Sequence, residues 1–201
     1  MLTGAANSQT VVAALGDSLT QGYGLQQQDG FVPQLESWLR ERGSDVRIVN
    51  AGVSGDTTAG GLARIAWTLT PEIDALIVTL GGNDLLRGIS PETSRANLEG
   101  ILQVVQDRGL PVLLVGFEAP GNYGPDYKTA FDAIYPELVE TYGTLYVESF
   151  LAALESRAET DRAGVLSAFM QSDGVHPNRD GVALIVEALG PEVENLIARV
   201  D

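Results

Sequence analysis

The sequence predicts a doubly wound α/β domain. Two observations carry that prediction. Short apolar runs recur along the 201 residues, and most are nearly continuous in apolar residues, as in parallel strands covered on both faces. Between them lie longer segments whose apolar residues fall at helical spacing. Alternation of this kind implies helices on both faces of a parallel sheet, joined by right-handed crossovers.

Strands are expected over residues 10–15, 46–49, 75–80 and 111–116, with a weaker fifth over 144–147. The first helix carries Phe31, Leu35, Trp38 and Leu39 on one stripe, and the second carries Leu62, Ile65, Ala66 and Leu69. Pro91 opens a third, whose inner face is Leu98, Ile101, Leu102 and Val105. Tyr127, Phe131, Ile134, Leu138 and Val139 mark a fourth, interrupted near Pro136, where a missing N–H breaks the ladder. The last follows Asn178, a residue suited to N-capping, and carries Val182, Leu184, Ile185, Leu189, Val193 and Ile197. No linker-like stretch or internal repeat interrupts the pattern. One domain is therefore expected over residues 1–201, with residues 1–9 as a flexible N-terminal segment. In open α/β sheets ligands bind outside the carboxyl ends of the strands. Three polar, glycine-containing segments follow predicted strands and meet at that rim: Gly16-Asp17-Ser18, Asn50-Ala51-Gly52 and Gly81-Gly82-Asn83.

Composition removes most alternatives for the chemistry. There is no cysteine, which excludes disulfides, thiolate catalysis and Cys-ligated metals. His176 is the only histidine and Lys128 the only lysine. A multi-histidine metal centre cannot be built, while carboxylate-bound Mg²⁺ or Ca²⁺ stays open. A histidine base has to be His176. The net charge is −15, from 12 basic and 27 acidic residues, which argues against nucleic-acid partners and against anionic membrane surfaces. No run approaches the ~20 apolar residues that span a bilayer, so no stable membrane insertion is expected. No basic start followed by an apolar run marks a signal peptide, and oligomeric state is not legible.

Three groups of residues suit acyl-transfer chemistry. Ser18, just past a strand and at a helix start, sits where amide N–H groups favour developing negative charge. It equally suits an ordinary turn in which Asp17 or Ser18 is an N-cap. Thr20 stands where the Gly-x-Ser-x-Gly elbow has its last glycine, so an α/β-hydrolase fold is not supported. Gly52, through its N–H, and Asn83, through its amide, can act as oxyanion donors or be plain loop residues. Asp173, three residues before His176, is placed to hold the imidazole in one tautomer.

Together these residues resemble the SGNH, or GDSL, hydrolase family. The likeness runs through four ordered blocks: Gly16-Asp-Ser-Leu-Thr-Gln-Gly22, Asn50-Ala-Gly-Val-Ser-Gly-Asp-Thr57, Gly81-Gly-Asn-Asp84 and Asp173-Gly-Val-His-Pro177. Each is weak alone, and all four in order are specific. The chain is most similar to the bacterial multifunctional acyl-CoA thioesterase/lysophospholipase/arylesterase group, through Gly61-Leu-Ala-Arg64, Leu85-Leu-Arg-Gly88, Asn122-Tyr-Gly124, Ala133-Ile-Tyr-Pro136 and His176-Pro-Asn-Arg-Asp180. The resemblance implies a three-layer α/β/α fold with a five-stranded parallel sheet in flavodoxin-like order. It implies Ser18 as nucleophile, His176 as base and Asp173 as its partner, with an oxyanion hole of the Ser18 N–H, the Gly52 N–H and the Asn83 side chain. It implies a small ester or thioester substrate, no metal or organic cofactor, and a periplasmic or secreted location.

An apolar wall for the substrate is expected from Leu85, Leu86 and Ile89 and from Phe117, Pro120 and Tyr123, with residues 85–89 as a loop able to close on Gly88. Glu118, before Ala119-Pro120, departs from the family's pocket segments. Two rival readings remain. A non-catalytic flavodoxin-like or receiver-like domain would need a phosphate loop, or a lysine after the fifth strand, and Lys128 comes too early. A sugar-ester deacetylase would keep the same reacting residues and require polar, open subsites.

Overall fold

Residues 9–200 are described by the computed structural model of the protein. Five strands form one parallel sheet: β1 (Thr10–Gly16), β2 (Val46–Gly52), β3 (Ala75–Thr79), β4 (Val112–Val115) and β5 (Leu145–Val147). Their order is β2-β1-β3-β4-β5, the flavodoxin-like arrangement, whose switch point lies between β1 and β3. The predicted apolar runs become the core: Val12 to Leu15, Ala75 to Val78 and Val112 to Val115 are all buried. Of the N-terminal segment expected to be flexible, residues 1–8 lie outside the described residues. Gln9 is described, and its Nε2 donates to Asp45 Oδ1 at 2.9 Å.

The helices are α1 (Ser18–Gln21), α2 (Phe31–Glu41), α3 (Thr58–Thr68), α4 (Gly82–Arg87), α5 (Pro91–Gln106), α6 (Pro125–Asp132), α7 (Ile134–Tyr142), α8 (Ala152–Phe169) and α9 (Arg179–Ile197). α2, α8 and α9 pack together in one layer, and α3, α5, α6 and α7 form the other. The expected interruption near Pro136 is a junction at Ala133 that separates α6 from α7. Asn178 caps α9, its side chain accepting from the Asp180 and Gly181 N–H groups.

Three features differ from the sequence reading. First, β2 continues past Val49 to Gly52, paired with β1 down to Gly16↔Gly52. The loop at its carboxyl end therefore begins three residues later than the apolar run suggested. Second, residues 82–87 are helical, and Gly88 ends that helix in the left-handed conformation (φ 62°) rather than hinging a loop. Third, α8 was not foreseen. It buries only Leu154 and Val165 and is broken at Asp161 (φ −149°, ψ 76°), so its sequence carries no apolar stripe to read.

Candidate active site

The register of the sheet levels Gly16, Gly52 and Thr79 at one rim. From that rim the chain turns into α1. Asp17 is the N-cap: its Oδ1 accepts from the Leu19 N–H at 3.0 Å. The turn reading of Gly-Asp-Ser is met, with Asp17 as the cap, and capping by Asp17 aims Ser18 out of the sheet. Asp17 is 1% exposed. Burial pushes its carboxyl above the ordinary range, opposed by hydrogen bonds from the Leu19 N–H and from Asn83 Nδ2.

Ser18 Oγ lies 2.9 Å from His176 Nε2, and His176 Nδ1 lies 2.7 Å from Asp173 Oδ2. A carboxylate only accepts, so Nδ1 carries the ring hydrogen and Nε2 is left to accept from the Ser18 hydroxyl. Asp173 Oδ1 takes the backbone N–H groups of Val175 (2.9 Å) and His176 (3.0 Å). These contacts hold its carboxyl down at about 2, the His176 N–H first, then the ring, then the Val175 N–H. The loop bearing the pair is pinched at its base. Met170 and Pro177 form an antiparallel bridge, and Gln171 N–H donates to the His176 carbonyl at 2.8 Å. Tyr23 packs against the imidazole, ring centroids 4.8 Å apart.

Asn83 stands in the first turn of α4, and its Nδ2 donates to Asp17 Oδ2 at 3.0 Å. One amide hydrogen is engaged below the site and the other remains for a ligand. The Ser18 N–H, at the first position of α1, has no intrahelical partner.

Gly52 does not meet expectation. Its N–H already donates to Asn50 Oδ1 at 2.9 Å. A Cβ there would lie 2.3 Å from the Gln21 backbone N, so Gly52 faces α1 rather than the cleft. The physical reason is the extension of β2, which keeps Gly52 within the ladder. The glycine that reaches the cleft is Gly55, in the following turn with φ 77°. Its N–H has no acceptor among the described residues. Arg64 fixes this turn: Nε donates to Asp56 Oδ2 (2.7 Å), Nη1 to the Ala51 carbonyl (2.7 Å) and Nη2 to the Gly16 carbonyl (2.9 Å). One guanidinium ties the ends of β1 and β2 to the loop that presents Gly55.

These residues open into a cavity of about 370 Å³. Of the expected wall residues, Leu85, Leu86 and Phe117 line it. Ile89, Pro120 and Tyr123 do not. The Ile89 carbonyl is held by Tyr127 Oη (2.8 Å), and Tyr123 packs on Tyr127. In their place the lining includes Tyr23, Leu151, Glu155 and Val175. Leu151 and Glu155 escaped the sequence reading because they belong to the start of α8, and Gly55 because its strand was read too short. A glycine in a Ser-Gly-Asp turn was the available signal. Among the described residues no three His, Asp or Glu side chains gather as a metal site, and no helix is long and apolar enough to cross a membrane.

Comparison with known proteins places the chain among hydrolases of one family. The sequence pattern of the GDSL-like lipase/acylhydrolase family matches residues 14–184. Esterase TesA of Pseudomonas aeruginosa is 38% identical over 198 residues, covering 98% of this chain and 94% of TesA. Thioesterase 1/protease 1/lysophospholipase L1 of Escherichia coli K12 is 33% identical over 199 residues, covering 98% of this chain and 89% of that one. Among solved structures, AlinE4, an SGNH-hydrolase family esterase, superposes with a TM-score of 0.74 at 45% identity, over 95% of this chain and 98% of AlinE4.

Proposed function

This chain belongs to the GDSL-like lipase/acylhydrolase family and is an ester-cleaving hydrolase, and we propose that it cleaves carboxylic esters and acyl thioesters through an acyl-enzyme on Ser18. The observation that carries the proposal is the unbroken hydrogen-bond relay from Ser18 Oγ through His176 to Asp173, at 2.9 and 2.7 Å. Ser18 Oγ attacks the carbonyl carbon while His176 Nε2 takes its proton. The negative charge that develops on the carbonyl oxygen is met by the Ser18 N–H, the free Asn83 amide hydrogen and the Gly55 N–H, the last in the role first expected of Gly52. His176 returns the proton to the departing alcohol or thiol. A water molecule, deprotonated by the same imidazole, then attacks the acyl-Ser18 ester; the imidazolium returns that proton to Ser18 Oγ as the acyl–oxygen bond breaks, and the acid is released.

The cavity beside Ser18 is lined mainly by apolar side chains, among them Leu85, Leu86, Phe117 and Leu151. That favours an alkyl or aryl arm over an acetylated sugar. In this reading residues 1–201 make one hydrolase domain, located in the periplasm or outside the cell; the location rests on family likeness and is tested by cell fractionation.

The test of the proposed mechanism is Ser18→Ala. Turnover of a p-nitrophenyl ester and of an acyl thioester should fall by on the order of 10⁶-fold, with the melting temperature nearly unchanged. Residual activity near the wild-type level would remove Ser18 from the reaction.

A further inference from the structure

Strand order fixes the layout of the cleft. Ser54 and Gly55 follow β2, Asp17 to Leu19 follow β1, Gly82 to Leu86 follow β3, Phe117 and Glu118 follow β4, and Leu151 to Glu155 follow β5. With the order β2-β1-β3-β4-β5, the reacting groups lie toward one end and Glu155 at the other. Three strand spacings separate β1 from β5, about 14 Å at ~4.8 Å each. An arm of the substrate that fills the cavity therefore runs from Ser18 toward Glu155.

The charged groups along that path are unequal. Asp17 lies under the floor and accepts from Leu19 and Asn83. Glu118 is paired with Lys128 Nζ at 2.6 Å. His176 belongs to the reacting relay. Glu155 alone has neither role. No Lys or Arg lines the cavity, and Glu155 enters no ion pair among the described residues. It lines the cavity together with Leu151 and Phe117 and keeps an exposed edge; partial burial raises its carboxyl above the ordinary range, the hydroxyl of the buried Ser149 offsets part of this, and the nearby Glu118 and Glu148 add to it.

We propose that Glu155 is a specificity-determining residue of this cleft, favouring esters whose arm over β4 and β5 ends in a neutral or cationic group and disfavouring those whose arm ends in a carboxylate. The proposal rests on the hydrolase reading of Ser18 and His176. It deepens that reading by stating the charge class of the substrate. An anionic end would enter a cleft that offers it no basic side chain and meet an unpaired carboxylate at its far wall. A cationic end would find there the counter-charge that the protein itself does not supply.

The experiment compares three esters of equal, medium arm length, ending in methyl, carboxylate or trimethylammonium. One series carries the charge on the acyl side and a second on the alcohol side. The wild type should prefer the cationic over the anionic ester in kcat/KM by about fivefold to tenfold in at least one series, the scale of one partly screened charge. In Glu155→Gln that ratio should fall to within about twofold, each protein's turnover of the methyl ester serving as its own reference. Raising the salt toward 1 M, where the screening length is about 3 Å, should compress the wild-type ratio in the same way. Glu72→Gln, in the segment before β3 at the opposite rim, removes the same charge from the whole molecule and should leave the ratio intact. A ratio unchanged in Glu155→Gln, or lost equally in Glu72→Gln, overturns the proposal. No turnover of the methyl ester by the wild type would instead overturn the hydrolase reading beneath it.

Discussion

Asn83 gives one of its two amide hydrogens to the buried carboxyl of Asp17, 3.0 Å away, and the direction of the other follows from that bond. The side chain cannot turn without leaving an unsatisfied acceptor under the site. Asn83→Ala should lower kcat by on the order of 10²–10³-fold with little change in KM. Asp17→Ala removes both the cap of α1 and the partner of Asn83. It should cost about 1 kcal/mol in stability, read from chemical denaturation, and lower kcat as well.

The carboxyl of Asp173 is held at about 2 against an ordinary value of 3.8. A carboxyl lowered by folding stabilises the native state above its unfolded value, and that contribution fades as the pH falls from about 4 toward 2. Asp173 is therefore ionised above about pH 4. Above about pH 4, kcat/KM should follow at most one acid limb, with none contributed by Asp173. Asp173→Asn should lower kcat by on the order of 10⁴-fold, because the imidazole is no longer held in the tautomer that accepts from Ser18. Rate profiles of both proteins check this, and a two-limbed acid profile in the wild type would contradict it.

Gly52 and Gly55 should respond to substitution in opposite ways. A methyl group on Gly52 meets the Gln21 backbone N at 2.3 Å and its Cα at 2.8 Å, and main chain cannot yield cheaply. Gly52→Ala should cost about 1–3 kcal/mol, the range for an overpacked site. At Gly55 the nearest group is Arg87 Nη2 at 3.4 Å, so space is available and the penalty is the left-handed backbone, about 1–2 kcal/mol. Relaxation of that strain would turn the Gly55 N–H away, so Gly55→Ala should lower kcat in protein that remains folded. Paired melting curves and initial rates separate the two.

Asp84 is fully buried and accepts from the Thr58 N–H (2.9 Å), Thr58 Oγ1 (2.6 Å) and Ser94 Oγ (3.0 Å). It binds α4 to the starts of α3 and α5. Asp84→Ala strands three donors and should cost about 3 kcal/mol or more, measured by urea unfolding.

The fold was legible because its strands are buried on both faces. Runs such as Ala75 to Val78 announce themselves without alternation, and Phe31, Leu35 and Leu39 mark one side of a helix. The relay was legible because composition left a single imidazole, and Asp173 stands three residues before it. Gly52, rather than the cavity-lining Gly55, stands out in the sequence because Asn50 and Gly52 read as loop chemistry. Pairing with β1 holds them in the ladder, and pairing is a property of the neighbouring strand. Ile89, Pro120 and Tyr123 were misplaced for a related reason. Whether an apolar side chain near a site faces the cleft or another aromatic depends on helix orientation, and local sequence does not carry it. α8 gave no stripe, so the wall residue Glu155 went unread with it.

The pinched loop from Met170 to Pro177 makes Asp173 and His176 a short-range assembly. Their contact spans three residues, whereas the one from His176 to Ser18 spans 158. The Asp173–His176 contact can therefore be complete before Ser18 is in reach. His176 and Ser18 are held together by the bond from Gln171 Nε2 to the Tyr23 carbonyl at 2.8 Å and by the seating of α9 on α2, where Gly190 lies under the Trp38 ring so closely that a Cβ would fall 2.5 Å from it. Turnover thus reports on assembly far from the reacting atoms. A side chain added at Gly190 would press on the Trp38 ring, and whatever part of that pressure α9 takes up would be felt as distance between His176 and Ser18, not between His176 and Asp173.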